Sequence, residues 1–351
     1  MYLLMLPLFN AILYLVLRKV TQVVFIAMSI KDEVLKQLEK HKGEYISGGD
    51  LSSTLGVSRN AIWKSIKSLE KNGYKIDAIP NRGYCLSMQN DILSSQSISQ
   101  YLNYDLDINV YQTVTSTNTV LKEKAEQGAA HGTVIIAEEQ THGRGRMGKK
   151  FYSPSGTGIY LSILLRPDIP AGEALFLTTS AAVATAKAIE DVSEKKADIK
   201  WVNDVYIDDK KVCGILTEAS FNMETGKLDY AIVGIGINIC FPDGGFPSDI
   251  DSIATAVFDK NSDSINKRSI LIAHLLNYFM DYYNNFESKS YVQEYINRSM
   301  IIGRDISVIN GSQTQDAKAL EIDNDCRLKI QYSDGTEKWL NSGEVSIRVM
   351  K

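Results

Sequence analysis

The 351-residue sequence predicts an α+β multidomain protein: an N-terminal winged helix-turn-helix, a central mixed α/β domain and a small C-terminal β-barrel. Three observations carry that reading. Residues 28–88 show helix-period apolar spacing interrupted by Gly-containing turns, the pattern of short stacked helices. Residues 108–300 alternate strand-like apolar runs with long helical stretches at 171–192 and 267–287. From residue 301 on, short alternating runs separated by Asn310-Gly311 and Asp334-Gly335 read as closely spaced strands.

A hydrophobic fraction of 44% and a charged fraction of 23% describe an ordinary soluble globular protein, with a cytoplasmic location expected. The net charge of −4 argues against a chain coated in nucleic acid, but it is uneven. Residues 28–88 carry ten Lys/Arg against seven Asp/Glu, a balance of +3, and Arg18 and Lys19 give residues 1–27 a balance of +2. Residues 89–351 therefore hold −9. A basic N-terminal module on an acidic body fits nucleic-acid contact at one end only. Cys85, Cys213, Cys240 and Cys326 lie far apart, without Cys-x-x-Cys or Cys/His ligand spacing. Reduced thiols and no protein-only metal site are expected. His142 adjoins a glycine-rich loop but belongs to no Ser/His/Asp pattern and reads as a solvated loop histidine.

Residues 1–27 form an apolar extension in which Arg18 and Lys19 follow the first apolar run, whereas a signal peptide places its cations first. That run is short for a spanning helix, which needs roughly 20 apolar residues. Translation is expected to start at Met28, with no membrane association. From there to residue 88, Val34, Leu35 and Leu38 space a first helix, 47–55 forms a second, and Ser58 caps a third whose stripe is Ile62, Ile66 and Leu69. Helix, Gly-containing turn and helix make the helix-turn-helix plan. Arg59, Asn60, Trp63, Lys64 and Lys67 remain on the outer face, within reach of phosphates and base edges in a major groove. Residues 74–86 read as a two-stranded wing with Arg82 at its tip. DNA binding is the expected role, with Ser58 at the start of the recognition helix.

The polar stretch 89–107 reads as a linker. Strands follow at 108–114, 133–138 and 159–165, a hairpin turns at Asp208-Asp209-Lys210, and a further strand spans 229–239. Between the second and third strands lies Gly143-Arg144-Gly145-Arg146-Met147-Gly148. Its glycines permit positive φ and close approach of backbone N–H groups, and its arginines offer planar forks for phosphate or carboxylate. Such a loop closes over an anion. Arg/Gly loops also grip nucleic acid without sequence preference, so by itself this stretch leaves both readings open. Ser116, Thr117 and Asn118 open a helix, where hydroxyl and amide side chains commonly cap. Gly234-Ile235-Gly236-Ile237-Asn238 lacks the third glycine and following helix of a dinucleotide fingerprint, which excludes a Rossmann reading.

Taken in order, the motifs Ser116-Thr117-Asn118, Gly143-Arg144-Gly145-Arg146-Met147-Gly148, Lys200-Trp201-Val202-Asn203-Asp204, Lys211-Val212-Cys213-Gly214 and Gly234-Ile235-Gly236-Ile237-Asn238 resemble the bifunctional biotin–protein ligase and biotin operon repressor family. The resemblance runs from Met28 to the C-terminus, through a helix-turn-helix at 28–88, a catalytic domain of the biotin/lipoate ligase type at 108–300 and a C-terminal barrel at 301–351. It implies that ATP activates biotin to biotinyl-5′-AMP and that biotin then passes to a lysine of a biotin carboxyl carrier protein. It also implies repression at operator DNA, with the adenylate as corepressor; one operator-binding unit per chain leads to the expectation of a homodimer on two half-sites. Val202 departs from a usual proline, and Phe151 from a frequent tryptophan near adenine. Residues 1–27 have no family counterpart.

Within that resemblance, Ser116, Thr117, Asn118 and Gln140 are expected at biotin, and Arg144 and Gly145 at its carboxylate. Arg146 and Lys211 are expected to offset charge in the transition state, with Mg²⁺ arriving on ATP. Phe151, Lys200, Asn203 and Asn238 are expected on the nucleotide side. Asp204 is the expected acceptor of the lysine proton. A ligase whose DNA module is not regulatory, and a lipoate- or octanoate-transfer enzyme, are the alternatives; the glycine loop and the DNA module argue against the second.

Overall fold

A computed structural model describes residues 29–310, 313–341 and 346–349, so the extension 1–27 lies outside the described residues. The chain divides into two compact units, one ending at Ile92 and the other beginning at Leu93.

In the first unit, Ser29 and Asp32 form a capping box at the start of α1 (Ile30–Lys40), and Val34, Leu35 and Leu38 are buried. Helix α2 (Gly48–Leu55) stops at Gly56, whose φ of 65° suits a residue without Cβ. The Ser58 hydroxyl accepts from Ala61 N–H at 3.2 Å and opens α3 (Arg59–Lys71), which buries Ile62, Ile66 and Leu69. Strands β1 (Ile76–Ile79) and β2 (Gly83–Leu86) pair antiparallel as the wing. Gly83 is obligatory: its φ is 112°, and a Cβ there would lie 2.1 Å from the Ile46 carbonyl oxygen.

The second unit begins inside the stretch expected to be a linker. Leu93 and Ile98 are buried, Ile98 in the short helix α4 (Ser95–Ser99). The central sheet has seven strands: β3 (Asp107–Val114), β4 (Thr133–Gln140), β5 (Gly158–Leu165), β6 (Asp198–Lys200), β7 (Asp204–Ile207), β8 (Lys210–Phe221) and β9 (Leu228–Asn238). Their order is β3-β4-β5-β9-β8-β7-β6, parallel at β3–β4 and antiparallel elsewhere.

Strand alternation gives the sheet two unlike faces. One presents Val134, Ile136, Ile159, Leu161, Ile163, Val233, Ile235 and Ile237 to the main core, which also holds the buried residues of α6 (Leu175–Ser193) and α7 (Lys267–Asn284). The other packs Ile135, Leu164 and Ile232 against Leu121 and Ala125 of α5 (Thr117–Glu126). Further along that second face stand Ser162, Gly214, Gly234 and Gly236. Small residues there leave a depression instead of a packed layer.

The expected C-terminal β-barrel is not formed. Strands β10 (Asp305–Asn310), β11 (Gln313–Ile322), β12 (Leu328–Tyr332), β13 (Glu337–Leu340) and β14 (Ser346–Val349) lie in one antiparallel sheet of order β13-β12-β11-β10-β14. Closure requires the two edge strands to pair; here β13 and β14 remain at opposite edges, with no pairing between them among the described residues. The reason lies in burial. Ile306, Val308, Ala319, Leu328, Ile330 and Leu340 join the same core as α6 and α7, and Trp201 Nε1 donates to the Cys326 carbonyl at 2.8 Å. With its apolar face covered by a neighbour, the sheet has no need to bury that face by curling on itself.

Candidate active site

The small-residue face of the central sheet floors a cavity of about 1030 Å³. Ser116, Thr117, Asn118, Gln140, Arg144, Gly145, Arg146, Phe151, Lys200, Asn203, Asp204, Lys211 and Asn238 all line it. These residues come from the start of α5, the ends of β4, β6 and β9, the hairpin β7–β8 and the glycine loop.

One end is a relay of short polar side chains. The Thr117 backbone N–H donates to Gln140 Oε1 at 2.9 Å, which fixes the orientation of that amide. Thr117 Oγ1 lies 3.1 Å from the same oxygen, and Gln140 Nε2 donates to Ser153 Oγ at 2.9 Å. Ser162 Oγ donates to Asn118 Oδ1 at 2.6 Å and sits 2.7 Å from Thr117 Oγ1. Since Asn118 Oδ1 only accepts, the Ser162 proton goes there and its oxygen is left to accept. Ser116 occupies the N-cap position of α5, yet its side chain makes no capping bond. Its hydroxyl is thereby kept for the cavity, contrary to the usual fate of serine at a helix start.

The glycines of β8 and β9 explain the floor. A Cβ on Gly234 would lie 2.1 Å from Asn118 Oδ1, and one on Gly236 would lie 2.5 Å from the Phe151 ring. Gly214 is paired with Gly236 across the strands and faces Lys211 and Phe151. Each glycine makes room for a particular side chain.

The glycine loop is a compact hairpin. Gly145 N–H donates to the Lys149 carbonyl at 2.7 Å, Phe151 N–H to Gly143 at 2.9 Å, and Arg144 bridges Lys150. Met147 and Gly148 turn it, at φ of 56° and 73°. Arg144 Nη2 donates to Glu218 Oε2 at 2.7 Å, and Asn118 Nδ2 reaches the same oxygen at 2.8 Å.

At the other end, Arg146 Nη1 donates to Asn203 Oδ1 at 3.0 Å. Asn203 Nδ2 donates in turn to Asp204 Oδ1 at 3.0 Å, and Lys211 Nζ donates to that oxygen at 2.7 Å. Burial pulls the Arg146 guanidinium below its usual range, with the Asp204 charge opposing. Its hydrogen-bond partner is a neutral amide, and no carboxylate lies within ion-pair reach of it among the described residues. A half-buried cation whose nearest carboxylate, Asp204, is already paired with Lys211 favours a bound anion. Lys211 is held by backbone bonds with Ile253 and Thr255 at 2.8 and 2.9 Å. The strap around Ile250–Ala254 is therefore part of the site, although nothing in its sequence announced it. Lys200 lies over the Tyr206 ring at 5.7 Å, and Asn238 Nδ2 donates to the Thr255 carbonyl at 3.1 Å. The Trp201–Val202 peptide bond is cis.

In the first unit, Arg59, Asn60, Lys64, Lys67 and Arg82 are exposed, and Trp63 is 49% exposed. Ser58 is spent on the cap. Lys67 pairs with Glu70 at 2.6 Å, and the Arg82 guanidinium stacks 4.1 Å above the Tyr45 ring. No helix among the described residues is long and apolar enough to cross a membrane.

Comparison with known proteins agrees with this arrangement. Residues 110–238 match the Biotin/lipoate A/B protein ligase family, 31–85 an HTH domain and 301–348 the Biotin protein ligase C terminal domain. The bifunctional ligase/repressor BirA of Bacillus spizizenii is 33% identical over 88% of this chain and 96% of its own length. That of Escherichia coli is 28% identical over 87% and 94%. A solved biotin protein ligase from Aquifex aeolicus, in complex with biotin and ATP, superposes with a TM-score of 0.58 at 28% identity, covering 70% of this chain and 99% of that one. The chain belongs to the bifunctional biotin–protein ligase/repressor family.

Proposed function

We propose that the protein activates biotin with ATP to biotinyl-5′-AMP, transfers biotin to a lysine of a biotin carboxyl carrier protein, and represses transcription with the adenylate as corepressor. The observation that carries the catalytic part is the half-buried Arg146, bonded only to the neutral Asn203 amide beside the Lys211–Asp204 pair, at the far end of a cavity whose near end is a neutral hydrogen-bonding relay.

Biotin has a polar ureido head, an apolar ring system and a carboxylate tail; the neutral relay at one end of the cavity suits the head, and Arg144 suits the tail. Gln140 Oε1 is filled by Thr117, so Gln140 offers the ureido group its second Nε2 proton, while the Ser116 hydroxyl can donate or accept. The Arg144 guanidinium, with one nitrogen on Glu218 and the rest of its fork open, would hold the carboxylate region; Gly145, expected there too, has its N–H on the Lys149 carbonyl. In the first step a carboxylate oxygen bonds to the α-phosphorus and pyrophosphate leaves. Two anions approach one another, and Arg146 and Lys211 offset that repulsion most where charge concentrates, in the transition state. Asp204 and Asn203 keep these two cations in place. Phe151, lying over Gly214 and Gly236, offers a ring to the adenine, and Lys200 and Asn238 border the nucleotide.

No group of three or more His, Cys, Asp or Glu suited to a metal occurs among the described residues. Among the described residues Asp204 is the one carboxylate hydrogen-bonded within the Arg146–Lys211 cluster, so the donor set fits a Mg²⁺ carried by ATP phosphates, where it would supply charge neutralisation. In the second step a neutral lysine amine, with an ordinary pKa of about 10.4, attacks the acyl carbon and AMP leaves. Asp204 Oδ2, free of hydrogen bonds among the described residues, is the proposed proton acceptor.

Arg59, Asn60, Trp63, Lys64 and Lys67 on α3 would read a major groove, with Arg82 of the wing on the backbone and a homodimer on two half-sites. Incubation with ATP, an acceptor domain and either biotin or lipoate tests the enzyme. A mass increase of one biotinyl group on the acceptor lysine, dependent on ATP, is expected. Modification by lipoate in preference to biotin would overturn the assignment. Operator binding with and without biotin plus ATP tests the repressor.

A further inference from the structure

Glu218 belongs to none of the motifs that pointed to this site, yet two of them meet on it. It stands on β8 on the same face as Gly214 and Leu216, because residues two apart along a strand share a side. One oxygen, Oε2, accepts from Arg144 Nη2 at 2.7 Å and from Asn118 Nδ2 at 2.8 Å. Arg144 belongs to the glycine loop and Asn118 to the floor, where it is wedged over Gly234 and bonded to Ser162. The carboxylate uses a single nitrogen of the Arg144 fork, which leaves the rest of that guanidinium for a ligand.

We propose that Glu218 is a positioning residue that latches the glycine loop to the floor of the cavity by holding Arg144 and Asn118 on one carboxylate oxygen. It touches neither reacting atom. It places Arg144 before a ligand arrives, so that less of the ordering cost of the loop falls on binding. The inference rests on the ligase reading for its consequence in turnover, but the latch itself exists without ligand.

The test uses the full chain in two arms. The first is ligand-free: tryptic cleavage after Arg146 and Lys149, with Glu218→Gln, Glu218→Asp, Arg144→Gln and the double variant. A half-exposed charged pair shifts an equilibrium by a factor of roughly 2 to 5. Glu218→Gln should therefore raise cleavage within the loop by a factor in that range, at an unchanged melting temperature, and Glu218→Asp should recover part of the protection. In the Arg144→Gln background, Glu218→Gln should add nothing. The second arm measures biotinyl-adenylate dissociation, expected to accelerate by a similar factor with little change in the rate of adenylate formation once substrates saturate. Loop cleavage unchanged in Glu218→Gln, or an effect undiminished in the Arg144→Gln background, would overturn the latch. A cleavage response in a protein that makes no adenylate would uphold the latch and overturn the ligase reading instead.

Discussion

Gly143 and Gly145 look equivalent in the sequence, and the structure separates them. A Cβ on Gly143 would lie 2.4 Å from the Phe151 carbonyl oxygen and 2.6 Å from Ser153 Oγ. The first of these is backbone and cannot swing aside, and Ser153 is the group that holds Gln140. Gly143→Ala must therefore spread the base of the hairpin, straining the Phe151-to-Gly143 bond and the Gln140–Ser153 bond together. Overpacking of this kind costs about 1–3 kcal/mol, and each disturbed hydrogen bond about 0.5–1.5. Taking about 2 kcal/mol as the share felt by the closed loop, biotinyl adenylate should dissociate roughly 30-fold faster. Gly145 has extended backbone angles, φ −115° and ψ −177°, and the nearest atom to its hypothetical Cβ is the Lys149 carbonyl oxygen at 3.5 Å. Gly145→Ala should thus stay within about 0.5 kcal/mol, or a factor of roughly two. The assay is a chase of labelled adenylate from each purified variant, with thermal midpoints alongside. Equal dissociation rates for the two variants, or a larger effect at Gly145, would refute the steric reasoning.

Lys211→Met should lower adenylate formation by roughly 100-fold or more while leaving biotin affinity within a few-fold, because its charge matters most at the phosphorus in the transition state; pyrophosphate exchange near the wild-type rate would sink this. Arg268 and Glu138 form a buried pair at 2.7 Å, two residues before Gln140. Arg268→Met leaves a carboxylate buried without its partner and should cost about 3–5 kcal/mol in denaturant unfolding; a loss below about 1 kcal/mol would contradict that burial. Lys64→Ala should weaken operator binding and reduce the slope of log K against log salt by about 0.9, one phosphate contact; an unchanged slope removes Lys64 from the interface. Burial holds the Glu39 carboxyl above its usual range, against the opposing charge of Lys42. The folded unit therefore binds more protons than the unfolded chain between the ordinary and the raised pKa, so stability falls as pH rises through that window. Glu39→Gln should flatten this fall, and thermal midpoints that keep the wild-type pH dependence would show that Glu39 is not its source.

Much of the cavity lining was legible because most of it sits in five short motifs, each at an element end or in a tight loop. Two supporting residues were missed although the sequence holds a signal for them. Ser162 is the one small polar side chain in the buried strand Gly158–Leu165, and Glu218 follows Gly214 by two strand periods. Counting by twos from a motif glycine would have placed Glu218 over the cavity. Ser153 and the strap carried no comparable signal, since their positions follow from how the chain returns across the sheet. The C-terminal barrel was an error of a different kind. Alternation reports which face of a strand is apolar, and it is silent on what covers that face. A neighbouring core did so here, and the sheet stayed open. Composition is also silent on burial within the stretch read as a linker: rich in serine, it still buries Leu93 and Ile98.

The glycines of β9 show why a short motif misleads when its residues are read without their partners. Gly-x-Gly commonly signals backbone approaching a phosphate. In this protein Gly234 admits the Asn118 amide and Gly236 admits the Phe151 ring, so the strand yields space to side chains from two other elements. Gly234→Ala would first displace Asn118, and Asn118 is bonded at once to Ser162 and Glu218. Through Ser162 the disturbance reaches Thr117 and Gln140, and through Glu218 it reaches Arg144. A single added methyl group therefore strains both the relay proposed for the ureido head and the arginine proposed for the carboxylate. Biotin affinity should fall by more than either Thr117→Val or Glu218→Gln lowers it alone, because those variants each break one branch. Calorimetric titration of the three variants with biotin decides the matter. A Gly234→Ala enzyme that binds biotin as tightly as the weaker-affected single-branch variant would mean that Asn118 does not join the two branches.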